Sequence, residues 1–256
     1  MAIGLRALAD RMLHRRMLRI WGRAARQAET MNLATLRALR GRARQIRRRI
    51  DRLLFVADAR LTLPLIGTSA IARPLHCDWA YRPELWRGPV HPPGLAAVES
   101  RTMIGEEATV FHDCRISELT VRQVRNTRES DVAPFGLRLD VFRFDGSFLS
   151  LALDLPPEAA RGLKRRHLVR LEATIETEKK LEIFARLNVR HGPNTEQLVR
   201  ELPPGEETMV EFDLAYSSLN EKRVERLWLD LIFEGPEMNQ ILLRDITLTR
   251  RPRAEF

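Results

Sequence analysis

A chain of 256 residues with a formal net charge of +9 and two cysteines has room for one large β domain plus an appendage, or for two small domains. The two cysteines exclude a disulfide framework. No run of about 18 apolar residues exists to make a membrane span, and Arg6 and Arg11 interrupt the apolar stretch that a signal peptide would need. An Arg-rich start could also be an organelle presequence, but serine is absent before Ser69. The expectation is a cytoplasmic protein, at most peripheral to a membrane surface.

The charge is concentrated at one end. Residues 1–60 hold 16 Arg, no Lys and four acids, a net of +12, so the remainder is net −3. Residues 1–58 are expected as a basic helical arm. In its first helix, over 2–28, Leu13, Met17, Ile20, Ala24, Ala28 and Met31 follow helical spacing. Thr30 or Asn32 can cap a second helix. There Leu36, Leu39, Ala43, Ile46, Ile50 and Leu53 alternate spacings of three and four, a short heptad seam that suggests a coiled coil or self-association. Arg15, Arg16, Arg19, Arg23, Arg44, Arg47, Arg48 and Arg49 surround these stripes with almost no acid to pair with. They are the expected contacts to an anionic surface or a protein partner.

Residues 59–97 form a proline-rich strap in which Pro64, Pro74, Pro83, Pro89, Pro92 and Pro93 forbid long helices and central strands. Trp79, Tyr81 and Trp86 fall within eight residues. Exposed, they would offer stacking faces to a glycan-like ligand. The prolines favour another use, in which the rings plug an open end of the body.

From 98 to 250 the sequence predicts strand after strand, over 108–114, 117–125, 134–144, 148–155, 166–177, 181–190, 195–202, 207–214, 225–233 and 240–249. Phe135, Leu137, Leu139 and Val141 alternate, as do Leu149, Leu151, Leu153 and Leu155. Asp145-Gly146-Ser147 between the two runs reads as a turn. The predicted hairpin pairs Val141 with Leu151 and Leu139 with Leu153. Only 157–163 suggests a helical turn. Strands without helical crossovers imply an antiparallel β-sandwich, jelly-roll-like, preceded by the basic α-helical arm. Residues 251–256 are expected as a tail.

Two tripeptides, His76-Cys77-Asp78 and His112-Asp113-Cys114, mirror each other. Brought together, His76, Cys77, His112 and Cys114 would supply nitrogen and sulfur donors for tetrahedral zinc, or a thiol nucleophile. Adjacent strand residues face opposite ways, so only His112 and Cys114 share a side. The loop Arg190–Asn194 reads as a turn or an active-site loop. Glu172, Glu176, Glu178 and Glu182 could supply paired carboxylates or simply a solvated face. No nucleophile elbow, P-loop or dinucleotide fingerprint occurs.

As a set, Trp79–Trp86, Phe111–Cys114, Asp145–Leu151, Ala185–Val189 and His191–Asn194 resemble an uncharacterised alphaproteobacterial family defined only as a domain of unknown function. The resemblance covers most of the chain and implies no activity or ligand. The ending Ile241–Leu248 is similar to the last strand of galactose-binding-like jelly rolls and carbohydrate-binding modules.

The reading that results is a non-catalytic binding or scaffold protein without a cofactor. Its arm meets an anionic or protein partner, homo-oligomers included, and its body offers a site to a glycan. One alternative is a zinc- or thiol-dependent hydrolase built on His76, Cys77, His112 and Cys114. The other is a nucleic-acid or anionic-membrane binder acting through the arm.

Overall fold

The structure is a computed structural model that describes residues 2–62, 71–116 and 118–253. The chain divides into two compact units, Met1–Leu54 and Phe55–Phe256.

The first unit holds α1 (Ala2–Gln27) and the start of α2 (Leu33–Thr62). Asn32 caps α2, its side-chain oxygen accepting from the Thr35 N–H at 2.9 Å, which satisfies one of the free donors at the helix start. Along the apolar stripes Ala24, Ala28, Met31, Leu36, Leu39, Ala43 and Ile46 are half-buried. Leu13, Met17, Ile20, Ile50 and Leu53 remain exposed.

The second unit is a sandwich of two antiparallel sheets, built from β1 (Trp79–Tyr81), α3 (Glu84–Arg87), β2 (Gly94–Ala96), β3 (Thr102–Ile104), β4 (Ala108–His112), β5 (Leu119–Arg125), β6 (Phe135–Val141), β7 (Leu149–Asp154), α4 (Pro157–Ala160), β8 (His167–Thr177), β9 (Glu182–His191), β10 (Asn194–Glu201), β11 (Glu207–Asp213), β12 (Val224–Glu234) and β13 (Asn239–Pro252). One sheet has the order β11-β8-β13-β6-β5-β2, with β1 also on β13; the other runs β10-β9-β12-β7-β4-β3. Alternate residues of facing strands meet in one buried cluster, which includes Leu139, Val141, Leu151, Leu153, Leu171, Leu187, Leu229 and Leu248.

Every strand expected from 108 onward is present within a few residues. The structure adds β1, β2 and β3, each of three residues, too short to show a period in sequence. β13 runs to Pro252, so 251 and 252, expected as tail, lie in the sheet. Residues 63–70 of the strap, Ser117 and residues 254–256 lie outside the described residues.

The predicted hairpin is a correction. β6 and β7 do not pair: Leu139 lies opposite Val121 and Ile241, while Leu151 lies opposite Val110 and Leu231. The two strands belong to different sheets, and the segment 142–148 carries the chain across the sandwich. Both leucine rows do face the core, so alternation placed the sides correctly. It said nothing of which strand lies alongside. The crossing is held from outside. Asp113 accepts from the Ser147 and Phe148 N–H groups at 2.7 and 3.2 Å and from the Ser147 hydroxyl at 2.6 Å. The loop passes so close that a Cβ on Gly146 would stand 2.6 Å from Asp113 Oδ1, which is why glycine suits this position.

The strap becomes part of the sheet. β13 pairs with β8 along one edge, with a register shift between Leu243 and Asp245, and along the other edge with β6 through Asn239–Leu243 and with β1 through Leu248–Arg250, which leaves a gap after Leu243. In that gap the Trp86 indole N–H donates to the Leu243 carbonyl at 2.8 Å, and the Asn126 amide donates to the Arg244 carbonyl at 2.8 Å. Backbone acceptors at the bulge are thus satisfied by side chains. Arg82, 2 % exposed at its side chain, grips Asp245 through two bonds of 2.7 and 2.8 Å. Buried Gln123 fastens the strap from β5, bonding the Leu85 and Gly88 carbonyls and the Val90 N–H.

Candidate functional site

The outward face of the six-stranded sheet carries a cleft of about 450 Å³. Its shape follows from one strand. β7 lies between β4 and β12 and turns Leu149, Leu151 and Leu153 inward. The alternate positions, Ser150 and Ala152, therefore face out, and both are small. Pairing then sets Phe111 and Ile232 beside Ser150, Thr109 and Asp230 beside Ala152, and Trp228 beside Asp154. Small side chains on the central strand and large ones on its neighbours leave a floor with walls. Phe148, 41 % exposed, closes the end where the Asp113 clasp holds the crossing loop.

The polar groups of the cleft come in pairs. Asp230, 5 % exposed, accepts from Arg186 Nε and Nη2 at 2.9 and 2.8 Å and from the Asn188 amide at 2.9 Å. Arg226 pairs with Asp154, and its guanidinium lies 5.4 Å from the Trp228 ring centre, a cation–π contact. Two arginines against two aspartates leave the cleft without formal net charge. Trp228 and Phe111 are half-buried, each held in place yet open on one side.

None of these residues stands among the site candidates read from sequence. Leu227, Leu229, Leu231 and Phe233 define the core side of β12, and Trp228 and Ile232 alternate with them on the outward side. Large apolar residues at both parities of one strand were the available signal, because an outward face exposed only to water has no use for them.

The aromatics chosen from sequence lie elsewhere. Trp86 is wholly buried, so the expectation that it contacts a ligand is corrected: it fills the gap left along β13 between β6 and β1, where its indole N–H reaches the Leu243 carbonyl. Trp79 and Tyr81 pair with Arg250 and Leu248 of β13 and pack half-buried against the core. Their rings stack 5.9 Å apart. Burial, then the hydrogen bond to Glu107, pushes the Tyr81 phenol above its ordinary range.

The two His/Cys tripeptides have separate structural uses. Both His112 ring nitrogens are engaged by backbone, Nε2 with the Val98 carbonyl at 2.8 Å and Nδ1 with the Cys114 N–H at 3.2 Å. Burial pushes the Cys114 thiol up, the opposite of what an activated nucleophile needs. Cys77 donates to the Trp79 carbonyl at 3.1 Å, and His76 is exposed. Among the described residues no three His, Cys, Asp or Glu side chains gather as a metal site, so the four-donor set of the alternative reading does not form. Arg15, Arg16, Arg19, Arg23, Arg44, Arg47, Arg48 and Arg49 are all exposed, with Arg47 reaching Asp51 at 3.3 Å. No helix among the described residues is long and apolar enough to cross a membrane.

A family model described as a family of unknown function, DUF6478, matches residues 1–256. No curated protein matches the sequence. Among solved structures, the family 11 carbohydrate-binding module of Clostridium thermocellum, in complex with a β-1,3-1,4-mixed-linked tetrasaccharide, is similar at TM-score 0.39 and 13 % identity, over 64 % of this chain and 97 % of that one. A xylan-binding domain of Paenibacillus barcinonensis is similar at TM-score 0.38 and 8 % identity, over 72 % of this chain and 100 % of that one. Tailspike protein 4 of bacteriophage CBA120 is similar at TM-score 0.39 and 8 % identity over 55 % of this chain, which spans 19 % of the tailspike chain. At TM-scores this low the likenesses do not bear on ligand or activity.

Proposed function

The chain belongs to this family of unknown function, and we propose that within it the sandwich is a non-catalytic binding module whose outward cleft on β4, β7 and β12 takes a neutral, glycan-like ligand. The observation that carries the reading is Trp228. Its ring borders the small-residue floor of Ser150 and Ala152 and is flanked by paired charges. A sugar ring has an apolar face that stacks on indole and a rim of hydroxyls that need donors and acceptors. Arg186–Asp230 and Arg226–Asp154 present both kinds within one cleft. Because each carboxylate already meets a guanidinium, the site favours a neutral ligand over a charged one. The same pairing leaves no free carboxylate in the cleft, which supports binding rather than acid–base chemistry.

The test is calorimetric titration of the full chain with a panel of neutral oligosaccharides. Binding to at least one, weakened roughly thirty-fold in Trp228→Ala and blocked when Ser150→Tyr fills the floor, is expected. Absence of binding across the panel, or binding indifferent to both substitutions, overturns the proposal.

A further inference from the structure

α1 has two opposed faces. Leu13, Met17, Ile20 and Trp21 recur at spacings of three and four and so share one side. Leu13, Met17 and Ile20 are 60, 39 and 50 % exposed. Arg15, Arg19, Arg23 and Arg26 follow helical spacing on the other side, and residues 11–27 contain six arginines and no acid. Large apolar side chains left in water cost free energy, and residues 11–27 offer the arginines no carboxylate to neutralise them. Few occupants meet both needs. A nucleic acid would satisfy the guanidinium groups and leave the apolar stripe in water. A second copy would bury the stripe and crowd the arginines together. An anionic bilayer surface supplies phosphates at the headgroups and an apolar layer just beneath.

We propose that α1 lies in the interface of an anionic lipid bilayer, with Leu13, Met17, Ile20 and Trp21 at the acyl boundary and Arg15, Arg19, Arg23 and Arg26 among the lipid phosphates. The helix lies on the membrane and does not span it. The proposal is independent of the cleft on the sandwich.

The experiment is co-sedimentation of the full chain with vesicles of phosphatidylcholine alone and of phosphatidylcholine mixed with phosphatidylglycerol. Partition into the mixed vesicles only is expected. Each substitution in the series Arg15→Gln, Arg19→Gln, Arg23→Gln weakens it about five-fold. The pair Leu13→Gln and Ile20→Gln keeps every charge and a good helix propensity, and weakens partition at least about ten-fold. Acyl-brominated lipid quenches a fluorescence component that Trp21→Phe removes, which shows insertion directly. Binding to neither vesicle, equal binding to both, or anionic binding undiminished by the Leu13/Ile20 pair each overturns the proposal. In that last case, tight binding of duplex DNA would assign the arm to nucleic acid instead.

Discussion

Trp86 and Trp228 occupy the same sandwich on opposite terms. Trp86 comes from a proline-rich segment, is wholly buried and gives its N–H to a backbone carbonyl at a bulge. Trp228 stands on a regular strand, half open, with a guanidinium against its ring. The segment that looked irregular supplies the buried structural ring, and the regular strand supplies a ring left half open on the outward face. What decides is the floor beneath each side chain. Under Trp86 a ladder is interrupted and needs a donor; beside Trp228, Ser150 and Ala152 leave room for something else.

The largest effect that can break this contrast is on stability. Trp86→Ala should cost about 3–5 kcal/mol, measured by chemical denaturation, while leaving the cleft of the folded fraction able to bind. If it costs no more than Trp228→Ala, the plug is not a plug. Asp245→Asn comes next. It weakens the two charge-assisted bonds between Arg82 and this side chain and should cost about 2–3 kcal/mol, seen as a lowered melting temperature with the six-stranded face unaltered by NMR shift mapping. Trp228→Ala should do the reverse of Trp86→Ala. It should lose about 2 kcal/mol of binding, roughly thirty-fold in Kd, with stability changed by no more than about 1 kcal/mol.

The smallest effect sharpens the comparison at the cleft's end. Asp113 is exposed, and its carboxyl is held below its ordinary value of 3.8, chiefly by the Ser147 hydroxyl and then by the Phe148 and Ser147 N–H groups. A depressed carboxylate contributes its stabilisation above the unfolded value and loses it as pH falls through the lower folded value. The clasp that holds Phe148 should therefore be intact at neutral pH and open only in acid below 3.8. Ser147→Ala should move the Asp113 midpoint upward, toward 3.8, in an NMR titration. An unmoved midpoint would mean that the hydroxyl does not hold the loop.

Alternation alone located the ten strands from 108 onward and told which residues turn inward, because a strand's side chains reverse side at each residue whatever lies beside it. Helical spacing with a cap at Thr30 or Asn32 likewise located the break between α1 and α2, and the structure places the cap at Asn32. Pairing was beyond its reach. Leu139 and Leu151 belong to equivalent leucine rows, and nothing in either row distinguishes a neighbour in the same sheet from one across the core. The cleft was hidden for a related reason: Trp228 is far along the chain from Ser150 and Ala152, and their juxtaposition exists only once β7 and β12 are side by side. Periodicity is a property of a single segment and so can be read from sequence. Which segments lie together is chosen by the packing energy of the whole sandwich, and that choice made both the plug and the cleft.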